Sequence, residues 1–173
     1  MTVRVLVAGV GNVFLGDDGF GVEVARRLAA EQVPDGVCVA DYGIRAVHLA
    51  YDLLDGYDAL VLVDALGRGD EPGTLYAIEP DPGGALSGSP VVDAHGMTPD
   101  TVLGLFGTLG GGLDRTVVVG CEPADCSEGM ELSATVAGAV GPALALVREV
   151  LAEIGAGAGA GEPNPKEGRR CSA

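Results

Sequence analysis

Short apolar runs rich in β-branched residues, separated by segments with helical periodicity, constrain the fold of this 173-residue chain more than any other feature. Buried strands that alternate with helices are typical of parallel βαβ units joined by right-handed crossovers. We therefore expect an α/β protein, a single-domain α/β/α sandwich with a mostly parallel central sheet of about five strands. The predicted strands are residues 3–10, 37–42, 59–66, 74–78 and 116–121, and the predicted helices start near Phe20 and cover 47–54, 101–109 and 133–154.

The end of the chain differs in composition from the rest. Residues 155–165 alternate Gly and Ala and then become Glu-Pro-Asn-Pro, so they offer no bulky apolar side chains. Such a segment cannot offset the entropy lost on ordering. We expect one domain over residues 1–154 and a flexible Gly/Ala/Pro-rich tail over 155–173.

The charge of the chain excludes several classes of partner. With 25 acidic and 10 basic residues the net charge is -15, which repels nucleic acid phosphates and anionic lipids. The longest apolar runs fall short of the roughly 20 residues of a membrane span, and the first residues lack the features of a secretory signal. We expect a monomeric cytoplasmic protein that binds neither nucleic acid nor membrane.

Acidic residues follow three of the predicted strands. Asp17 and Asp18 come after the first strand, Asp41 ends the second, and Asp64 ends the third. The long connection after the fourth strand carries His95 just ahead of a predicted helix. Because ligands of open parallel sheets bind beyond the carboxyl ends of the strands, we expect these side chains to meet at one edge.

Two carboxylates and an imidazole form a mixed oxygen and nitrogen site. Asp18, Asp64 and His95 would suit a first-row divalent ion such as nickel or zinc better than calcium. Each also has a simpler interpretation. One of Asp17 and Asp18 can cap the following helix and leave the other free, Asp64 can stabilise a turn at the strand end, and His95 can be an ordinary loop residue.

The glycines of the first turn allow a second interpretation of this edge. Gly9-Val10-Gly11 follows a strand and precedes a helix, as in dinucleotide-binding proteins, but Phe14 occupies the position of the third glycine. The adjacent aspartates would also repel a pyrophosphate. We expect the glycines to form a tight turn with unusual backbone angles that directs the acidic pair into the crevice.

The four cysteines show no paired spacing, so the sequence predicts neither a zinc site nor a disulfide framework, and we expect reduced thiols. Cys126 is the one predicted loop thiol outside the tail. A nucleophilic pair of Cys126 with His95 is an alternative that no sequence pattern supports.

The opening motif resembles that of a known family. Residues 9–21, Gly-Val-Gly-Asn-Val-Phe-Leu-Gly-Asp-Asp-Gly-Phe-Gly, are similar to the first motif of the hydrogenase maturation proteases. The similarity covers about residues 3–152. It continues through Asp41-Tyr-Gly43, Leu62-Val-Asp-Ala65, Pro72-Gly-Thr74, His95 and Val119-Gly-Cys-Glu-Pro123.

This resemblance implies an aspartyl-type, metal-dependent endopeptidase. Its partner would be the precursor of a nickel-iron hydrogenase large subunit, from which it would remove the C-terminal extension after nickel insertion. The family's metal-contacting trio falls on Asp18, Asp64 and His95. The implied metal is nickel supplied by the substrate, and zinc or cadmium could occupy the same donors in a crystal. Water would attack the peptide bond, activated by the metal or by Asp41 as a base.

Two departures from the family pattern affect this edge. Some relatives have glutamate where this chain has Asp18, and relatives often have threonine where this chain has Ile44 after Gly43. A shorter carboxylate is an equally competent oxygen ligand, whereas Ile44 removes a hydroxyl near the expected cleavage site. The alternative function is a noncatalytic metal-binding or scaffold protein in hydrogenase assembly, which keeps the site without cutting.

Overall fold

A computed structural model describes residues 2–80 and 98–157, and within them every predicted strand and helix is confirmed, with ends shifted by three residues at most. A short 3-10 turn, Gly16–Gly19, leads into the first helix. The strands are β1 (Val5–Val10), β2 (Val37–Gly43), β3 (Ala59–Ala65), β4 (Leu75–Ile78) and β5 (Arg115–Cys121), and the helices are α1 (Phe20–Ala29), α2 (Ala46–Leu53), α3 (Pro99–Thr108) and α4 (Ala134–Gly157).

The sheet has the strand order β2-β1-β3-β5-β4. β1, β2, β3 and β5 are parallel, and β4 pairs antiparallel with β5 at the edge. Alternate residues of the strands supply two separate cores: Val5 and Val7 pack with α1 and α4, while Leu6 and Ala8 pack with α2 and α3. The predicted α/β/α sandwich with a mostly parallel five-stranded sheet is therefore confirmed.

The strand order reverses at β1. The chain moves from β1 to β2 on one side and then returns to form β3 on the other side of β1. The connections that follow β1 and β3 therefore leave the sheet in opposite directions and open a crevice between them. In open α/β sheets such a reversal is where ligands bind.

Helix α1 lies unusually close to the sheet because glycines occupy the contact. A Cβ atom added to Gly9 would lie 2.3 Å from the carbonyl oxygen of Gly21, and one added to Gly21 would lie 2.1 Å from the carbonyl oxygen of Val63. The first turn of α1 thus rests on the backbones of β1 and β3. This contact fixes the position of the 3-10 turn relative to the strand ends.

Helix α4 is long and apolar enough, by length and composition alone, to cross a membrane, with a mean hydropathy of 1.5 in its most apolar window. The sequence predicts no membrane span, because its longest apolar runs are short. The helix nevertheless buries its apolar stripe, including Val136, Val140 and Val147, against the sheet, as a core helix does. It continues to Gly157, beyond the predicted end at 154, and the rest of the predicted tail lies outside the described residues.

The close contact of α1 predicts a sharp difference between two glycine substitutions. Gly21→Ala places a methyl group against the Val63 carbonyl and should lower the free energy of unfolding by roughly 1–3 kcal/mol. Gly138→Ala, on the exposed side of α4 with open space around it, should raise this free energy by about 0.5–1 kcal/mol. Urea denaturation of both variants measures the difference. Equal effects would contradict the packing described here.

Candidate functional site

The connections after β1 and β2 and the end of β3 meet around Gly11. This residue has φ of +130°, and its N–H donates to the carbonyl oxygen of Gly43 over 2.9 Å. A Cβ atom on Gly11 would lie 1.9 Å from the carbonyl oxygen of Asp18 and 3.5 Å from Oδ1 of Asp64. The predicted tight turn is confirmed, and it brings Asp18 and Asp64 to the same point of the crevice.

Asp18 lies in the 3-10 turn and is half-buried. Its Oδ2 atom accepts a hydrogen bond of 2.7 Å from the backbone N–H of Asn12, so the loop that carries the carboxylate also orients it. The prediction that Asp17 or Asp18 caps α1 is wrong. The residue at the N-cap is Gly19, and no side chain accepts a hydrogen bond there.

Asp64 is the penultimate residue of β3 and has only 4% of its surface exposed. It continues the alternation of Leu60 and Leu62, which pack with α2 and α3. The carboxylate therefore stands where the core on that side of the sheet ends. Asp64 belongs to the strand itself, so the interpretation as a turn former after the strand does not describe it.

Asp41 ends up on the other side of the sheet. It follows Val37 and Val39, which pack toward α1 and α4, and its Oδ2 atom lies 3.1 Å from the guanidinium of Arg26 on α1. Arg45 donates to the main-chain carbonyl oxygen of Asp41. The carboxylate lies at the predicted edge, but it is paired with a cation. Its role as a general base stays a prediction.

His95 lies outside the described residues, so the structure does not test the predicted trio. Within the two described ranges, no group of three His, Cys, Asp or Glu side chains is arranged to hold a metal ion. The described chain resumes at Thr98, which caps α3 by accepting a hydrogen bond of 3.2 Å from the N–H of Thr101.

Asp17 has a structural role that the sequence does not predict. It is fully buried, and its carboxylate accepts four hydrogen bonds, from the N–H groups of Ala124, Asp125 and Ser133 and from the Ser133 hydroxyl. Burial raises the pKa of Asp17, but these hydrogen bonds outweigh burial and hold the pKa below its ordinary value. Its partners lie more than 100 residues away along the chain, so no local pattern could reveal them.

Glu122 is a second buried acid at this edge. It follows β5, is 7% exposed, and accepts hydrogen bonds from the N–H groups of Arg68 and Gly69 and from the Tyr76 hydroxyl. These contacts fix the connection that leaves β3 just after Asp64. Glu122 belongs to the motif Val119-Gly-Cys-Glu-Pro123, but no sequence pattern predicts its contacts.

The thiols of Cys121 and Cys126 add no nucleophile. Both are free thiols in the described part of the chain, as expected. Burial of the sulfur, followed by the charges of Asp18 and Asp17, raises the pKa of Cys126 to about 11. A thiol that stays protonated at neutral pH is a poor nucleophile.

Fold and site together define an α/β protein with two carboxylates at the point where its strand order reverses. The model of the family HycI, hydrogenase maturation protease, matches residues 22–150. The chain belongs to the hydrogenase maturation protease family, which makes it an endopeptidase of the hydrolase class.

Individual relatives agree with this assignment. The chain is 34% identical over 157 residues to the hydrogenase expression/formation protein HupD of Bradyrhizobium diazoefficiens, which covers 88% of this chain and 80% of the relative. It superimposes on the hydrogenase maturating endopeptidase HybD of E. coli with a TM-score of 0.71 and 28% identity, covering 88% and 94% of the two chains. For the maturation protease HycI of Thermococcus kodakarensis the TM-score is 0.69 at 28% identity, with 87% and 93% covered.

The buried carboxylate of Asp17 predicts a pH-dependent contribution to stability. Asp17→Asn should lower the free energy of unfolding by roughly 1–3 kcal/mol at neutral pH, because the amide cannot accept from all four donors. A lowered pKa stabilises the fold above the unfolded value of about 3.9 and ceases to do so as pH falls through the folded value. The difference in the free energy of unfolding between wild-type and Asp17→Asn protein, measured by urea denaturation, should therefore narrow below a pH of about 4. Asp35→Asn, an exposed control, should show no gap, and a gap for Asp17→Asn that widens in acid would contradict the prediction.

Proposed function

We propose that this protein removes the C-terminal extension of a nickel-iron hydrogenase large-subunit precursor after nickel insertion, and that Asp18, Asp64 and His95 recognise the bound nickel. The observation that carries the proposal is the approach of Asp18 and Asp64 to the same glycine at the reversal of the strand order. Two carboxylates and an imidazole suit nickel and leave coordination positions for donors of the substrate.

The position of α3 supports the inclusion of His95. The helix ends at Thr108, and a connection of a few residues leads to the start of β5, at the edge opposite the carboxylates. Ten helical residues span about 15 Å, so the Thr98 end of α3 points back toward the carboxyl edge. His95 precedes Thr98 by three residues in the sequence, and we propose that it completes the donor set.

Exposed apolar side chains around the site support a protein substrate. Phe14, Ile44 and Met130 are 61%, 55% and 73% exposed. They lie on the three connections that follow β1, β2 and β5. Single exposed apolar residues are common, but a set that surrounds one crevice suits docking of a macromolecule better than binding of a small polar ligand.

The chemistry proposed is attack of water on the scissile peptide bond. Nickel held by the precursor acts as the Lewis acid that polarises the carbonyl, and Asp18, Asp64 and His95 fix the bond relative to that metal. Asp41 is the alternative base, although its contact with Arg26 opposes this role because a base must give up the cation to take a proton. We propose that the protein acts in the cytoplasm as a monomer, and its net charge of -15 disfavours nucleic acid and membrane surfaces.

A second candidate function is consistent with the poor nucleophile and the ion-paired base at this edge. A noncatalytic metal-binding scaffold for hydrogenase assembly would need Asp18 and Asp64 but no group that activates water. The protonated thiol of Cys126 and the ion pair of Asp41 both fit such a role. Mass spectrometry of a precursor incubated with the protein separates the two functions, since only the protease shortens it.

Removal of either site carboxylate should abolish most of the cleavage. Asp18→Asn and Asp64→Asn each remove one negative charge from the proposed nickel contact, and we expect losses in kcat/KM at least as large as the ~10–100-fold seen when outer-shell partners of metals are removed. Asp35→Asn, an exposed acid outside the site, is the matched control and should cleave normally. Normal cleavage by both site variants would refute the assignment.

Nickel recognition predicts a dependence on the metal content of the substrate. Precursor loaded with nickel should be cleaved, while nickel-free precursor should be cleaved at least ~100-fold more slowly, because the site carboxylates then lack their cation. The Asp41→Asn variant tests whether Asp41 is the base that activates water. If this variant still cleaves nickel-loaded precursor, the result supports activation by the metal as a Lewis acid. If cleavage is lost, the result supports Asp41 as the base. Equal rates with and without nickel would exclude nickel recognition.

A further inference from the structure

We infer that Asp17 is a positioning residue for cleavage: it anchors the β5–α4 loop, residues 122–133, to the 3-10 turn that carries Asp18. The inference rests on the proposed function, because it concerns the same site. The four hydrogen bonds of the Asp17 carboxylate all come from this loop and connect its two ends, Ala124 and Asp125 near the start and Ser133 at the finish.

The backbone of the loop lies directly on the turn. The N–H of Gly16 donates to Gly129, the N–H of Gly129 donates to Phe14, and the N–H of Asp17 donates to Asp125, all over 2.8–2.9 Å. A Cβ atom on Gly16 would lie 2.6 Å from the carbonyl oxygen of Asp125. The loop and the turn therefore form one unit with the Asp17 carboxylate at its centre.

The start of α4 stabilises this buried anion. Ser133 immediately precedes the helix, and its hydroxyl oxygen accepts from the N–H of Val136 while the hydroxyl donates to Asp17. The carboxylate thus lies at the N-terminal end of a 24-residue helix, where the helix dipole favours negative charge. The buried carboxylate of Asp17 therefore needs no cation, and it leaves the charges of Asp18 and Asp64 available for the proposed nickel contact.

The anchor also sets the direction of Asp18. Successive residues of a 3-10 turn are about 120° apart around its axis, so a turn that directs Asp17 into the loop directs Asp18 elsewhere. Asp18 accepts from the N–H of Asn12 on the side of the crevice. Release of Asp17 would free the turn to rotate and would move the carboxylate proposed to contact nickel.

The anchored loop forms one wall of the site. It carries Cys126, which lies close enough for the charge of Asp18 to act on its thiol, and Met130, which is exposed as is Phe14 on the turn. A peptide bound in the crevice would therefore contact both the turn and the loop. A displacement of about 1 Å in such a positioning element can cost ~100-fold in rate.

The first experiment tests the anchor without reference to proteolysis. Hydrogen–deuterium exchange is followed at the backbone N–H groups of Gly16 and Gly129, which join the turn and the loop, in wild-type and Asp17→Asn protein. We expect their exchange to be at least ~5-fold faster in the variant, because the loop is released and these hydrogen bonds open more often. Ser133→Ala, which removes one of the four hydrogen bonds and disturbs the fold less, should give a smaller acceleration in the same direction. Unchanged rates in both variants would overturn the anchor.

The second experiment tests the effect on cleavage. Folded Asp17→Asn should cleave nickel-loaded precursor with a kcat reduced by ~10–100-fold and a KM changed much less, because the reacting groups are misplaced while most of the docking surface remains. Val140→Ala, a core change in α4 distant from the loop, is the control of similar instability and should retain the wild-type kcat when folded. Thermal denaturation gives the temperature at which each variant is fully folded.

The two experiments separate the possible failures. A wild-type protein that cleaves no precursor refutes the proposed function, while the hydrogen exchange still decides whether Asp17 anchors the loop. A variant with a released loop and the wild-type kcat refutes the positioning role and leaves the proposed function standing. If Asp17→Asn and Val140→Ala lose the same fraction of kcat at equal stability, the role of Asp17 is purely structural. That result also overturns the inference.

Discussion

The contact on which the rest of the structure depends is the approach of α1 to the backbones of β1 and β3. Gly9 and Gly21 have no side chains, so the carbonyl group of Gly21 on α1 and that of Val63 on β3 lie where their Cβ atoms would otherwise stand. Because protein interiors do not compress, this contact fixes where the 3-10 turn before α1 begins. The turn then places Asp18 beside the end of β3, where Asp64 stands. One pair of glycines thus determines the geometry of a site formed from distant segments.

Much of this arrangement follows from the sequence. The β-rich runs and helical spacings predict every described strand and α-helix, although not the 3-10 turn Gly16–Gly19, because burial on both faces of a parallel sheet requires continuous apolar strands. The rule that ligands bind beyond the carboxyl ends of the strands then selects Asp18 and Asp64 before any relative is considered. His95 was selected by the same argument and stays a prediction, since it lies outside the described residues.

Two features of this edge escape sequence reasoning for one physical reason. The sequence predicts that one of Asp17 and Asp18 caps the helix, but the four donors of Asp17 lie on a loop more than 100 residues away. Asp41 lies at the predicted edge, but the strand alternation places it with Val37 and Val39, and Arg26 pairs with it. Local patterns report the neighbours of a residue along the chain, whereas the partner of a buried charge is determined by tertiary packing. Such residues can be located by a sequence argument, but their roles cannot be assigned by it.

The two adjacent aspartates show how the fold distributes negative charge at this edge. The negative charge of Asp17 is stabilised by hydrogen bonds from backbone N–H groups and a hydroxyl and by the start of α4, so it needs no cation. Asp18 and Asp64 both lie beside Gly11, which is approached by the backbone carbonyl oxygen of Asp18 and by Oδ1 of Asp64. Under the proposed function, a nickel ion presented by a precursor would supply the positive charge that these two carboxylates attract. Recognition of the metal would then be coupled to docking of the peptide, without a metal held permanently by the enzyme.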